Sequence, residues 1–265
     1  MNINTIDNNQ NKKISFAVIA LVALALALYL PQEFIKAAVT RDTSTTGSFI
    51  GTSNFSWTHA VSGTDRLLVV GISYYNFNGS RVVSSVSFGG TALTKLDSFQ
   101  QSNVTTELWY LTAPAVGSSS ISVSIAGGTS FGIAGATSWT GVHQTTPLGT
   151  PVSLGGNSRT PAVTVTSAQE EIVQDILVWD RDVLSVPSAT IGVNQSQLWL
   201  GTNGYVGGAS SQETGSGSVT MSWNLSGVTD WALIAVSIKP ALAAADTVPP
   251  DQISLFGVTN FRGRE

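Results

Sequence analysis

The chain has 265 residues, only 11% of them charged, and a formal net charge of −4. So sparse and slightly acidic a surface argues against nucleic acid as a partner, because that affinity depends on clustered Lys and Arg. Cysteine is absent, which excludes disulfides, thiolate metal sites and a Cys nucleophile.

Residues 1–13, MNINTIDNNQNKK, are polar and end in Lys12 and Lys13. The run from Ile14 to Leu30 then carries neither a charge nor a glycine. A basic flank followed by an apolar run is the pattern of an export signal, here predicted as one hydrophobic helix within a leader spanning 1–38. Cleavage near Ala37 or Ala38 removes it; retained, residues 14–30 are a membrane anchor with the positive end inside. Either way the remainder lies outside the cytoplasm, secreted or at the cell surface.

From Gly47 to Pro240 the dominant period is two. RLLVVGISYY (66–75) begins as a continuous apolar run, and EIVQDILVWD (171–180) and DWALIAVSIK (230–239) are further predicted strands. VVSSVSFGG (82–90), SSISVSIAGG (119–128) and SVTMSWN (218–224) alternate apolar with small polar residues. TELWYLT (106–112), FGIAGATSW (131–139), PAVTVTS (161–167) and SQLWLG (196–201) complete the predicted strands. Gly- and Pro-containing breaks separate them, and no segment after residue 38 carries a helical period. The expectation is an all-β, antiparallel two-sheet β-sandwich over 39–240. About twelve to fourteen strands in one unit suggest a jelly roll over an immunoglobulin-like domain, which uses roughly seven to nine. VSFGGTAL (86–93) and VSIAGGTSF (123–131) look alike, and shared Gly-Gly hairpin chemistry accounts for that without duplication.

Several segments together carry a resemblance: DRLLVVGISY, VSSVSFGGTALTKL, TELWYLTAPAVGSSSISVSIAG, GATSWTGVHQTTPLGTP and GSVTMSWNLSGVTDWALIAVSIKP. They resemble a family of bacterial extracellular β-sandwich modules found in large secreted or surface proteins. The resemblance implies architecture and compartment, and transfers no catalytic motif.

After Pro240 the chain changes character. ALAAADTVPP (241–250) reads as a linker, stiffened by Pro249 and Pro250. DTVPPDQISLFGV resembles the opening of a fibronectin type III or immunoglobulin-like domain, so 251–265 is expected to begin a further β-module.

Candidate chemistry is thin. His59 and His143 sit in no zinc-binding spacing and beside no Gly-x-Ser-x-Gly, so structural or surface roles are expected. WDRD (179–182) places Asp180 and Asp182 on one side of a strand end. Two carboxylates so spaced suit calcium, whereas the bland reading is a solvated strand end paired with Arg181. A glycosidase would need a carboxyl pair across a groove. Seven tryptophans invite sugar stacking, yet most alternate in phase with Val, Leu or Ile and read as core. The outlying candidates are Trp179, Trp199 and Tyr205. Five Asn-x-Ser/Thr triplets, at Asn54, Asn78, Asn103, Asn194 and Asn224, suit an exported chain, and Asn78 before Gly79 suits a turn.

The function expected from these readings is a non-catalytic, exported cell-surface or adhesion module holding a glycan or a partner protein. The alternative is a carbohydrate-binding accessory domain of a secreted polysaccharide-degrading enzyme. No cofactor is expected beyond calcium.

Overall fold

The computed structural model describes residues 37–183 and 185–242, which form one compact unit. The expected leader helix over 14–30 and the expected module at 251–265 lie outside the described residues, as does most of the linker.

The first half contains β1 (Thr40–Thr52), β2 (Asn54–Val61), β3 (Leu67–Tyr75), β4 (Val82–Phe88), β5 (Thr91–Ala92), β6 (Thr94–Gln101), β7 (Val104–Thr112), β8 (Gly117–Ala126) and β9 (Ser130–Thr140). The second contains β10 (Val152–Ser158), β11 (Ala162–Ser167), β12 (Ile172–Asp180), β13 (Ala189–Ile191), β14 (Ser196–Thr202), β15 (Val206–Thr214), β16 (Gly217–Leu225) and β17 (Thr229–Ile238). Among the described residues one 3-10 turn, Phe77–Gly79, interrupts them, with Asn78 at φ 50°. All pairings between these strands are antiparallel. The all-β, antiparallel expectation therefore holds.

The layering differs from the expected single pair of sheets. Two five-stranded sheets, β1-β9-β3-β7-β6 and β10-β17-β12-β15-β14, lie inside. Two smaller sheets, β2-β8-β4-β5 and β11-β16-β13, cover their outer faces. Four layers result, with three apolar seams. One seam joins Leu68, Val70 and Ile72 of β3 to Val86, Phe88, Ile121 and Val123 of the first outer sheet. The middle seam sets Leu67, Val69, Ile133 and Trp139 against Ile176, Trp199, Ile234 and Val236. The third sets Leu177, Trp179 and Leu233 against Val165, Met221 and Trp223.

The sequence pattern follows the layer. A strand buried on both faces needs apolar residues on both, hence the continuous runs of β3, β12 and β17. A strand with one wet face alternates, as β8, β11 and β16 do.

The strand orders of the halves coincide when β1, β9, β3, β7 and β6 are exchanged for β10, β17, β12, β15 and β14, and β2, β8 and β4 for β11, β16 and β13. Only β5 has no counterpart. Registers agree too. Leu67–Tyr75 pairs with Thr112–Val104, as Ile172–Asp180 pairs with Thr214–Val206. Val61 faces Gly117, as Ser167 faces Gly217, and both glycines hold positive φ. The chain is thus an internal duplication at the level of fold. The VSFGGTAL and VSIAGGTSF pair is unrelated to it, since β4 and β8 are neighbours within one half.

Candidate functional site

Two of the three aromatic candidates are core. Trp179 is 0% exposed, donates its Nε1–H to the Pro187 carbonyl at 2.8 Å, and lies against Gly207. Trp199 is 3% exposed in the middle seam, its ring against Gly71 and Gly135 where no Cβ would fit. Neither presents a face to a ligand, because both faces of their sheet are covered and draw the indoles inward.

Tyr205 is different. It is 37% exposed in the turn between β14 and β15, and it stacks on Phe131 at 4.0 Å between ring centroids. Phe131 leans on Phe77 at 5.9 Å, and Phe77 meets Tyr75 edge-on at 4.7 Å. The Arg181 guanidinium stands 5.7 Å over the Tyr205 ring and that of Arg81 stands 5.0 Å over Phe77. Tyr75, Phe77, Phe131, Arg181 and Tyr205 enclose a cavity of about 210 Å³.

Side-chain amides hold these loops in place. Asn203 donates Nδ2–H to the carbonyls of Phe49 and Gly132, while its Oδ1 accepts from the N–H groups of Tyr205 and Val206, each at 3.1 Å. Asn76 accepts the Arg81 N–H at 2.7 Å and donates to Thr105 Oγ1 at 3.0 Å, which fixes the turn carrying Phe77. Rings so anchored lose little freedom when a ligand arrives.

A second, polar pocket of about 480 Å³ adjoins the first, sharing Tyr75 and Arg181. Asp180, Asp182, Asp230 and Asn157 line it, with Val183 and Val228 at its rim. The acidic pair singled out by spacing does converge here, joined by Asp230 from β17. Asp180 accepts the Arg181 N–H at 2.8 Å, Asp182 accepts that of Ser185 at 2.8 Å, and Asp230 accepts from Asn157 Nδ2 at 3.0 Å. Burial raises the pKa of Asp180 above the usual carboxylate value, with repulsion from Asp230 adding to it against the opposing Arg181 N–H and guanidinium. Among the described residues no group of three or more His, Asp or Glu is arranged to hold a metal ion.

The histidines lie elsewhere. His143 accepts the Thr146 N–H at 3.1 Å and so closes its own turn. His59 is buried, with Nδ1 on Thr45 Oγ1 at 2.8 Å. Asp42 accepts from Ser138 and Ser62 without bonding to the imidazole, so no Ser-His-Asp relay forms.

The residues missed by sequence reasoning are Tyr75, Phe77, Phe131, Asp230 and Asn157, while Arg181 is named there only as a partner for the acidic pair. The signal available was an aromatic residue at a turn, as in YYNFNGS, GGTSF and TNGYV, rather than one inside a strand.

No protein family, curated protein or solved structure matches this chain.

Proposed function

We propose that this chain is a non-catalytic, exported cell-surface or adhesion module that binds a glycan or a partner protein at the aromatic end of its sheets. One observation carries the reading: three segments place Tyr75, Phe77, Phe131 and Tyr205 around a cavity beside Asp180, Asp182 and Asp230. Half-exposed aromatic rings beside carboxylates are costly to leave against water and favourable to cover with an amphipathic ligand. The basic flank and apolar run at 12–30 support export, and the likeness to bacterial extracellular β-modules supports the same compartment. Each half is a jelly roll in this reading, since outer strands 2-8-4 close over inner strands 1-9-3-7 in both copies. The alternative, an accessory carbohydrate-binding domain of a secreted polysaccharide-degrading enzyme, uses the same surface.

A glycan array probed with the full chain tests the proposal. Retention that Tyr205→Ala abolishes without lowering the melting temperature supports it. Retention that Tyr205→Ala leaves intact refutes the assigned surface.

A second reading, glycoside hydrolysis, is favoured by the convergence of Asp180, Asp182 and Asp230 on one concave wall. Release of reducing ends from any glycan retained on the array, lost in Asp180→Asn, would establish it over simple binding.

A further inference from the structure

The composite end of the molecule carries more information than its location. By the shared register, Tyr75 at the end of β3 is the counterpart of Asp180 at the end of β12. Tyr74 faces Gly132 and Trp179 faces Trp231, so Phe131 and Asp230, one step further, are counterparts as well. The duplication therefore brings equivalent strand ends together across the middle seam, and they have diverged in opposite directions. At these positions the first half contributes the rings of Tyr75 and Phe131 and the second the carboxylates of Asp180 and Asp230, while Tyr205 adds a ring from the second half's turn between β14 and β15. Arg181 lies at the waist and lines both lobes.

Ligand charge follows from what the walls already hold. Asp180, Asp182 and Asp230 outnumber the single lining guanidinium, so the groove carries negative charge and repels uronates, sialates and phosphates. Cations meet a different obstacle. The guanidinium groups of Arg181 and Arg81 already stand beside the Tyr205 and Phe77 rings, so a further cation in the aromatic lobe meets their positive charge. An uncharged molecule with an apolar C–H face and a fringe of hydroxyl donors satisfies both lobes. The carboxylates accept from its hydroxyls, and Arg181 donates to its oxygens.

We infer that the groove binds a neutral oligosaccharide, one pyranose against Tyr205 and Phe77 in the aromatic lobe and the adjoining residue hydrogen-bonded to Asp230, Asp180 and Arg181 in the acidic lobe. The inference rests on the binding-module reading and names its ligand class. The lobes differ in volume, about 210 against about 480 Å³, so the smaller holds one ring and the larger admits continuing chain. A monosaccharide reaches one lobe only, and an oligomer gains from both.

Isothermal titration of the full chain tests this with neutral cello-, manno- and xylo-oligosaccharides, chitosan oligomers as the cationic probe and polygalacturonate oligomers as the anionic one. The expected result is binding of at least one neutral series, weaker by about tenfold or more, equal to ~1.4 kcal/mol, for its monosaccharide and in Tyr205→Ala and Asp230→Asn. Both sites lie at the surface end of the groove, and an unchanged melt shows that the variants fold. Tight binding of polygalacturonate or chitosan that Tyr205→Ala removes overturns the ligand class and leaves the binding-module reading standing. Neutral binding indifferent to both substitutions overturns the groove. Binding of no carbohydrate, together with capture of a surface protein that Tyr205→Ala abolishes, overturns the inference alone; absence of both overturns the reading beneath it.

Discussion

His59 and Asp175 are buried ionisable residues in opposite halves, and each stands where the other half has valine. The register equates His59 with Val165 and Asp175 with Val70. Burial lowers the His59 pKa to about 4, with Asp42 pulling weakly the other way. Burial raises that of Asp175 to about 7, despite the N–H groups of Trp223 at 2.7 Å and Ser211 at 2.6 Å that favour its anion. The signs oppose. Unfolded His59 takes up a proton below its ordinary value of 6.5 while the folded form resists until about 4, so its contribution to stability is lost as pH falls through that window. Folded Asp175 holds a proton up to about 7 while the unfolded form releases it near 3.8, so its contribution is lost as pH rises. Between about pH 4.5 and 6 each changes stability by about 1.4 kcal/mol per pH unit, with opposite slope, and the two cancel. Urea unfolding across that range is expected to be nearly flat for the unaltered chain. His59→Val should make stability fall with rising pH, and Asp175→Asn should make it rise. Parallel curves for both variants would show that these side chains do not titrate as placed.

At the scale of elements, glycine makes room for tryptophan in the packed layers. Gly71 on β3 and Gly135 on β9 form a floor for the Trp199 ring across the middle seam, and Gly207 on β15, paired with Trp179 in the same sheet, leaves room for that indole. A β-branched side chain there must displace an indole packed on every side. Gly135→Val is expected to cost about 1–3 kcal/mol by overpacking, read as a lowered denaturation midpoint with unchanged slope. Gly90→Ala, at a turn with positive φ and open space around it, would cost less and through backbone strain alone. Equal losses at the two sites would remove the packing argument. The same elements show what was legible beforehand. An apolar run gave β3 and alternation gave β8 and β16 correctly, because burial on one face or two is written directly in the side-chain period. Duplication left little trace, since GSSSISVSIA and GSVTMSWNL share a pattern and one turn glycine while their core residues differ. The site was harder still. Its rings lie on turns about 50 to 130 positions apart in the chain, and only the pairing of whole halves brings them together.

For the whole molecule, the question is whether the two halves are independent domains. The middle seam answers through its contacts. Trp139 donates Nε1–H to Gln174 at 2.9 Å, Ser73 donates to the Leu177 carbonyl at 2.9 Å, and Asn203 reaches Phe49 and Gly132 across the same divide. Leu67, Val69, Ile133, Trp139, Ile176, Trp199, Ile234 and Val236 are buried between the inner sheets. At roughly 1.5–3 kcal/mol per side chain their burial is comparable with or larger than the net stability of roughly 5–15 kcal/mol that a domain retains. A half separated at the 141–151 connection would expose one whole inner sheet face to water. Residues 37–146 produced alone are therefore expected to aggregate or dimerise through that face, and to regain a sharp melt when produced with 147–242. Calorimetry of the intact chain should show one transition, with calorimetric and van't Hoff enthalpies equal. Two resolved transitions, or a monomeric and cooperatively melting half, would mean that the outer seams suffice and that the groove's two lobes are assembled from separable domains.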